Sequence, residues 1–260
     1  MNTIQFNKFS HFHNGENVIF THMNRLGLVL KEISIKKHNV ILISGNSDHY
    51  VQQNIFPKNI IKWFAQNALV DDDRIIPLPL GIESAVPCKI NNMQHGIVWP
   101  HAIPKEKIIQ RYIGLQQQPT KFIYANFNIN TNIYERVPVR NICQEMSFIT
   151  WGEYGQEYEH FLQQILEHEA VVCAQGNGPG DNHRIYETLY LGRIPITFNR
   201  RMYEKLWFNF PILLLENYND LRNEELLKSK IREKQNQPFD REKLTYNYWA
   251  NIVQKEIDKL

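Results

Sequence analysis

The chain has 260 residues, enough for one large α/β domain or two small ones with a sizeable core. Hydrophobic residues make up 43% and charged residues 22%, which excludes a disordered or low-complexity protein. Lys plus Arg is 29 against 27 Asp plus Glu, a net charge of +2 that argues against a dedicated nucleic-acid binder while allowing a local basic pocket.

In chain order, Met1 to Ser10 is polar and interrupted, with no apolar h-region for a signal peptide. Val18 to Phe20 and Val40 to Ile43 read as buried strands, separated by a helix-like stretch from Arg25 to Ile35. Ile60 to Phe64 and Arg74 to Leu78 read as two more strands. Cys88 to Gln118 is expected to be irregular, carrying Pro100, Pro104 and a Gln116-Gln117-Gln118-Pro119 link between halves. Beyond it the alternation is cleaner. Phe122–Asn126 reads as a strand, Glu135–Glu145 as a helix, Phe148–Thr150 as a strand and Glu157–Glu167 as a helix. Ala170–Ala174 is the next strand and His183–Leu191 a helix stopped by Gly192. Ile194–Thr197 and Pro211–Leu215 complete the strands, and helices over Asn219–Lys234 and Arg241–Lys259 finish the chain. Strand–helix alternation of this kind predicts parallel sheets covered by helices on both faces. No internal repeat is present, and no apolar run approaches the roughly 20 residues of a membrane span. The three separated cysteines, Cys88, Cys143 and Cys173, read as reduced core thiols, hence a soluble protein of a reducing, cytoplasmic compartment.

The segment richest in chemistry is Val171 to Glu187, a strand, a loop holding Gly176, Gly178 and Gly180, and a helix start. Glycines allow backbone N–H groups to approach an anion, and the helix N-terminus adds unpaired donors and a positive dipole end. Asp181 or Asn182 can cap that helix. Arg184 stands in the first turn, where a cation is unfavourable for the dipole unless an anion accompanies it; its guanidinium suits a diphosphate. Glu187, three residues on, can accept two hydroxyl hydrogen bonds from a ribose. The alternative is a glycine loop and cap with His183, Arg184 and Glu187 pairing on a solvated surface. The loop lacks the Gly-Lys-Ser/Thr ending of a P-loop, and Asp181 breaks a G-x-G-x-x-G fingerprint.

The run Gly176-Asn177-Gly178, Asp181, His183-Arg184, Glu187, Gly192 and Ile194-Pro195-Ile196 resembles the nucleotide-sugar signature of exostosin-like GT-B glycosyltransferases. Ser44 to His49, Trp63 to Asn67 and Pro77 to Glu83 resemble the same group, as does Asn126-Phe127-Asn128 with Thr131-Asn132 and Glu135-Arg136. The resemblance implies two Rossmann-like parallel-sheet domains facing a central cleft: residues 1–115 on the acceptor side, 116–240 on the donor side, and a terminal helix over 241–260 packing back. It further implies transfer of a sugar from a nucleoside-diphosphate sugar, UDP by preference, to a glycan hydroxyl, with inversion and without a metal or other cofactor. By the same resemblance Arg184 binds the donor diphosphate, Glu187 the ribose, and Gly176, Asn177, Gly178, Asp181 and His183 border the donor. Arg136 is a second candidate for phosphate charge, or an ordinary helix-surface arginine.

A base is needed to deprotonate the acceptor. Asp48, after the strand Val40–Ser44, is the nominee, with His49 as neighbour or substitute; the alternative is a cap. Glu83 is a further carboxylate at a strand end. His11, His13 and His22 fit no metal motif. Asp71-Asp72-Asp73 contains the D-x-D of metal-dependent GT-A transferases and keeps that rival open, as does a non-catalytic nucleotide- or glycan-binding module. Trp63, Trp99, Trp151 and Trp249 are candidates for sugar stacking or core packing.

Overall fold

The computed structural model describes residues 1–51, 56–90, 93–94, 98, 101–178 and 180–260. Trp99 and Pro100, and Pro179 of the glycine loop, lie outside the described residues. The chain divides into two compact units: residues 1–104 with 178–181 and 241–260, and residues 105–177 with 182–240.

The first unit is built on a four-stranded sheet, β1 (Val18–His22), β2 (Val40–Gly45), β3 (Ile60–Ala65) and β4 (Ile75–Pro77), in that order and parallel throughout. Every residue of β1 and β2 is buried, as expected for parallel strands covered on both faces. One cover is α1 (Leu26–Ser34), whose Val29, Leu30 and Ile33 pack on Ile19, Val40, Leu42, Ile60 and Trp63. Trp63 is core, and its indole N–H is satisfied by the Ser44 hydroxyl at 2.8 Å.

Sequence periodicity does not disclose the second cover. A 3₁₀ helix over Phe6–Phe12 brings Phe6 within 5.6 Å of Phe9 and 5.9 Å of Phe20, ring centre to ring centre. Phe6 lies so close to Gly45 that a Cβ there would stand under 3.0 Å from its ring. The C-terminal residues complete this face. Thr3 bridges Thr245, the Tyr246 N–H donates to the Asn2 carbonyl at 2.9 Å, and the Tyr246 ring meets Phe9 at 5.0 Å. A 3₁₀ turn (Arg241–Leu244) precedes the final helix, α8 (Tyr246–Ile257), which starts where the Thr245 side chain accepts the Tyr248 N–H. Trp249 packs this helix and donates to the Lys243 carbonyl at 2.8 Å.

The stretch expected to be irregular contains a short hairpin, β5 (Lys89–Ile90) with β6 (Met93–Gln94), and then a helix, α2 (Ala102–Tyr112). Pro104 does not prevent that helix. It occupies the first turn, where backbone N–H groups have no intrahelical acceptor to lose.

The second unit carries a five-stranded parallel sheet. Its strands are β7 (Lys121–Ala125), β8 (Ile149–Trp151), β9 (His168–Val172), β10 (Ile194–Thr197) and β11 (Leu213–Leu214), in the order β11-β10-β9-β7-β8. Alternate side chains serve opposite faces. Ile123, Ala125, Ala170, Val172, Ile194 and Ile196 meet Val139 and Ile142 of α3 (Ile133–Glu145) and Leu227 and Ile231 of α7 (Glu224–Gln235). Tyr124 turns the other way, toward Phe161 of α4 (Tyr158–Glu167). The helix α5 (His183–Tyr190) joins β9 to β10, and α6 (Arg200–Met202) runs on into a π-helical turn, Tyr203–Trp207. The helix expected over Asn219–Lys234 is two pieces, a 3₁₀ turn (Tyr218–Arg222) and α7, because the Asn223 side chain accepts the Leu226 N–H and restarts the helix. Two parallel sheets under helices are the α/β architecture that the alternation predicts. Among the described residues no helix is long and apolar enough to cross a membrane, and the three cysteines are free and buried.

Gly45→Ala should destabilise the first unit by about 1–3 kcal/mol through overpacking against Phe6. Gly27→Ala, where an added Cβ meets nothing within 4 Å, should leave stability unchanged or slightly raised. Thermal unfolding of both variants checks this, and equal midpoints would refute the Phe6–Gly45 contact as the constraint.

Candidate functional site

In the second unit the strand order reverses direction between β7 and β9: the chain steps from β7 to β8 on one side, then returns to place β9 on the other. Ligands of open α/β sheets bind at the carboxyl ends of the strands at such a switch point. Here those ends carry Asn126-Phe127-Asn128 after β7 and Cys173-Ala174-Gln175-Gly176 after β9.

Arg136 ties the two ends together. From α3, its Nε donates to the Gln175 carbonyl at 2.8 Å, its Nη1 to the Asn128 carbonyl at 2.7 Å and to the Thr131 hydroxyl, and its Nη2 to the Ala174 carbonyl at 3.2 Å. It is therefore no ordinary helix-surface arginine. Most of its donors are spent on the protein's own backbone, so toward a ligand it offers charge more than hydrogen bonds. Its neighbour Glu135, buried, takes the Gln175 N–H at 2.6 Å. Two consecutive residues of α3 thus hold both sides of one residue's backbone, immediately before Gly176. The helix is anchored for this work by Asn132, whose side chain accepts the Glu135 N–H. Burial raises the Glu135 carboxyl above its ordinary range, opposed by the Gln175 N–H. Burial, then the charge of Arg184, brings the Arg136 guanidinium down to about 10.

Arg184 is the second residue of α5. Its guanidinium carbon lies 4.6 Å from the centre of the Phe161 ring, a cation–π arrangement. Its Nε and Nη1 are buried and have no hydrogen-bond partner among the described residues. Its charge is felt at the Tyr124 phenol and the Cys173 thiol, both pushed up by burial and both pulled back by Arg184. The cation thus sits over the ends of β7 and β9, beside Arg136.

Glu187 lies one turn along α5 and is 4% exposed. It does not pair with Arg184. Its cationic neighbour is Lys105 of α2, with Nζ 3.9 Å from Oε1, and the same ammonium stands 4.9 Å from the centre of the Tyr158 ring. Spacing alone does not bring in Lys105, Tyr158 or Phe161, which are remote from the glycine loop in sequence. Only the packing of α2 and α4 beside α5 brings them to it.

The cap of α5 is Asn182, accepting the Ile185 N–H at 3.3 Å, rather than Asp181. His183 is half-buried at the helix start and Asn177 exposed in the loop. Arg136, Gly176, Asn177, His183, Arg184 and Glu187 all belong to the second unit. Gly178, Asp181, Asp48 and His49 belong to the first.

There the loop segment is held by Asn67, a residue in the left-handed region at φ 54°. Its Oδ1 accepts the Asp181 N–H at 2.8 Å, while its Nδ2 donates to the carbonyls of Ser47 and His49. The Asp181 carboxylate accepts the Leu80 N–H at 2.8 Å. Cβ atoms on Gly178 and Gly180 would stand under 3.0 Å from the Asp48 carbonyl oxygen and from Asn67 Oδ1. Both glycines therefore serve close packing within this unit. Asp48 and His49 are exposed on the loop after β2.

The remaining candidates have structural partners. The His13 ring accepts the Phe20 N–H, His11 meets Tyr246 and the Lys8 carbonyl, and His22 binds the Asn46 carbonyl. Asp72 is bound by the Arg74 side chain and N–H, which hold its carboxyl at about 2. Glu83 faces His101 at 3.3 Å. Trp151 packs edge-on against Phe127. Among the described residues no group of three or more His, Cys, Asp or Glu is arranged to hold a metal ion.

No protein-family model and no curated protein sequence matches the chain. Among solved structures, the chain is similar to a crystal structure of an α1,3-fucosyltransferase with GDP-fucose, with TM-score 0.44 and 12% sequence identity over 92% of this chain and 90% of that one.

Arg136→Ala should release the Gln175 backbone. Hydrogen exchange followed by mass spectrometry is expected to speed up over residues 173–177 and stay unchanged in β10. Equal protection of residues 173–177 in both proteins would show that Arg136 does not hold the loop.

Proposed function

We propose that this chain is a GT-B glycosyltransferase that takes a nucleoside-diphosphate sugar, UDP-linked by preference, and passes the sugar to a glycan hydroxyl in the cytoplasm. Transfer is inverting and needs no metal ion. The observation that carries the reading is the Arg184 guanidinium, whose Nε and Nη1 are buried and unpartnered among the described residues, while the acid one turn away is engaged by Lys105. Buried donors without acceptors are costly, and an anionic ligand that accepts from them removes the cost. The first turn of α5 adds the positive end of its dipole at the same place. In this reading Arg184 takes the diphosphate, Arg136 adds charge beside it, and Glu187 takes the ribose hydroxyls. Gly176, Asn177 and His183 border the donor, while Gly178 and Asp181 fix the far part of the loop.

In the transfer step an acceptor oxygen attacks the anomeric carbon as the bond from that carbon to the diphosphate oxygen breaks. The acceptor proton passes to Asp48, with His49 as its neighbour or substitute, and the negative charge growing on the diphosphate is stabilised by Arg184 and the head of α5.

Calorimetry with UDP and with GDP tests the donor site. Wild type is expected to bind, UDP the more tightly. Arg184→Ala should weaken binding by about 30- to 100-fold and Glu187→Ala by about tenfold, as for charge-assisted hydrogen bonds. Wild-type affinity in both variants would refute the site.

Asp48→Asn should keep donor binding and lose transfer by about 100-fold or more; unchanged turnover would eliminate Asp48 as the base. Retention of transfer in EDTA is expected, whereas loss restored by Mn²⁺ would return the Asp71–Asp73 alternative.

A further inference from the structure

Lys105 and Glu187 form a charge pair at the edge of the candidate site, and its geometry is unusual for an ion pair. The Glu187 side chain is 5% exposed and the Lys105 side chain 17%, yet their charged groups stand 3.9 Å apart. A charge-assisted hydrogen bond would be about an ångström shorter. At this distance the ammonium supplies Coulombic compensation, which is strong where water is scarce, without occupying the carboxylate lone pairs. No hydrogen bond reaches the Glu187 carboxylate among the described residues.

The ammonium is kept in place by other means. It rests on the Tyr158 ring at 4.9 Å, a contact that fixes a cation without consuming its partner's acceptors. Lys105 also stands in the first turn of α2, where the helix dipole disfavours a cation and a nearby carboxylate offsets the penalty. Facing Lys105 at this separation, the Glu187 carboxylate keeps its acceptor sites free of hydrogen bonds among the described residues.

From this we infer that Lys105 is a positioning residue for nucleoside recognition: it holds a positive charge beside Glu187 while leaving the carboxylate oxygens open to accept from the two ribose hydroxyls of the donor. The inference rests on the nucleotide-sugar reading of the site. It assigns to Lys105 a task distinct from that of Arg184, since it acts through Glu187 on the ribose and not on the phosphates. It also makes the site selective for a ribonucleotide carrier over a deoxyribonucleotide.

The test is a ratio of affinities. Calorimetry compares UDP with 2′-deoxy-UDP, and GDP with 2′-deoxy-GDP, on wild type, Lys105→Met and Lys105→Arg. Wild type should prefer the ribonucleotide by about tenfold, the size expected for one hydroxyl on a charged acceptor. Lys105→Met, which keeps the length and packing of the side chain, should bring that ratio to within about twofold, with the deoxynucleotide, which keeps its 3′ hydroxyl, weakened less than the ribonucleotide. Lys105→Arg, which restores the charge, should recover most of the preference. An equal loss of affinity for both nucleotides in Lys105→Met would make Lys105 a phosphate-binding cation and overturn the inference, as would an unchanged ratio. Circular dichroism of the variant identifies an equal loss caused by unfolding; in that event the ratio in Lys105→Arg decides, and a ratio collapsed despite the restored charge overturns the inference. Wild type binding none of the four nucleotides would instead remove the nucleotide-sugar reading, and this role with it.

Discussion

A guanidinium at the head of a helix, with two buried nitrogens unanswered among the described residues, is the physical fact around which the second unit is organised. The Phe161 ring accommodates the flat face of Arg184 but cannot accept its hydrogen bonds in the plane. Glu187 would be the natural local partner at i+3, yet Lys105 engages it instead. Arg136 nearby adds like charge, and burial first, then the charge of Arg184, depress the basicity of its own guanidinium. Positive potential therefore accumulates at the carboxyl ends of β7 and β9, where the topology already favours a ligand.

Holding that potential in place requires a rigid rim. The residues Glu135 and Arg136 do this with opposite chemistries, the acid receiving the Gln175 N–H and the base binding the Gln175 carbonyl. Because Arg136 also grips the Asn128 carbonyl, the loops after β7 and β9 share one fastening. Beyond Asn177 the loop passes into the first unit, where Asn67 and Leu80 receive it. The two parts of the loop thus have different work: one borders the cations, the other is packed against polar side chains and backbone.

Much of the fold is legible from sequence because parallel strands buried on both faces are written as uninterrupted β-branched runs. Val40–Ile43 and Ala170–Val172 could hardly be anything else. Elements without that signature are harder to read. The 3₁₀ helix Phe6–Phe12 has no amphipathic period of its own and exists because its rings fit over β1 and Gly45. In α2 Pro104 reads as part of an irregular link, although it is harmless in a first turn, and nothing in the sequence singles out Lys105, which faces Glu187. The site is legible to the same degree. Arg184 and Glu187 lie on one helix at helical spacing, so sequence finds them. Lys105, Tyr158 and Phe161 reach them only through tertiary packing, which no spacing encodes. Asp181 is not the cap of α5, and its carboxylate instead takes the N–H of Leu80, 101 residues away in the chain.

The closing of the first sheet by residues from both ends of the chain has a consequence for biosynthesis. The Phe6–Phe9 face of the sheet meets Tyr246, and the strand-like contact of Thr3 is with Thr245. A ribosome delivers Lys8 and its partner Tyr246 238 residues apart. The second unit, whose strands and helices are contiguous apart from one short excursion, is complete as soon as residue 240 has emerged. The unit begun first is thus finished last, and until then its aromatic face stays uncovered, the kind of exposed surface on which nascent chains aggregate or recruit chaperones.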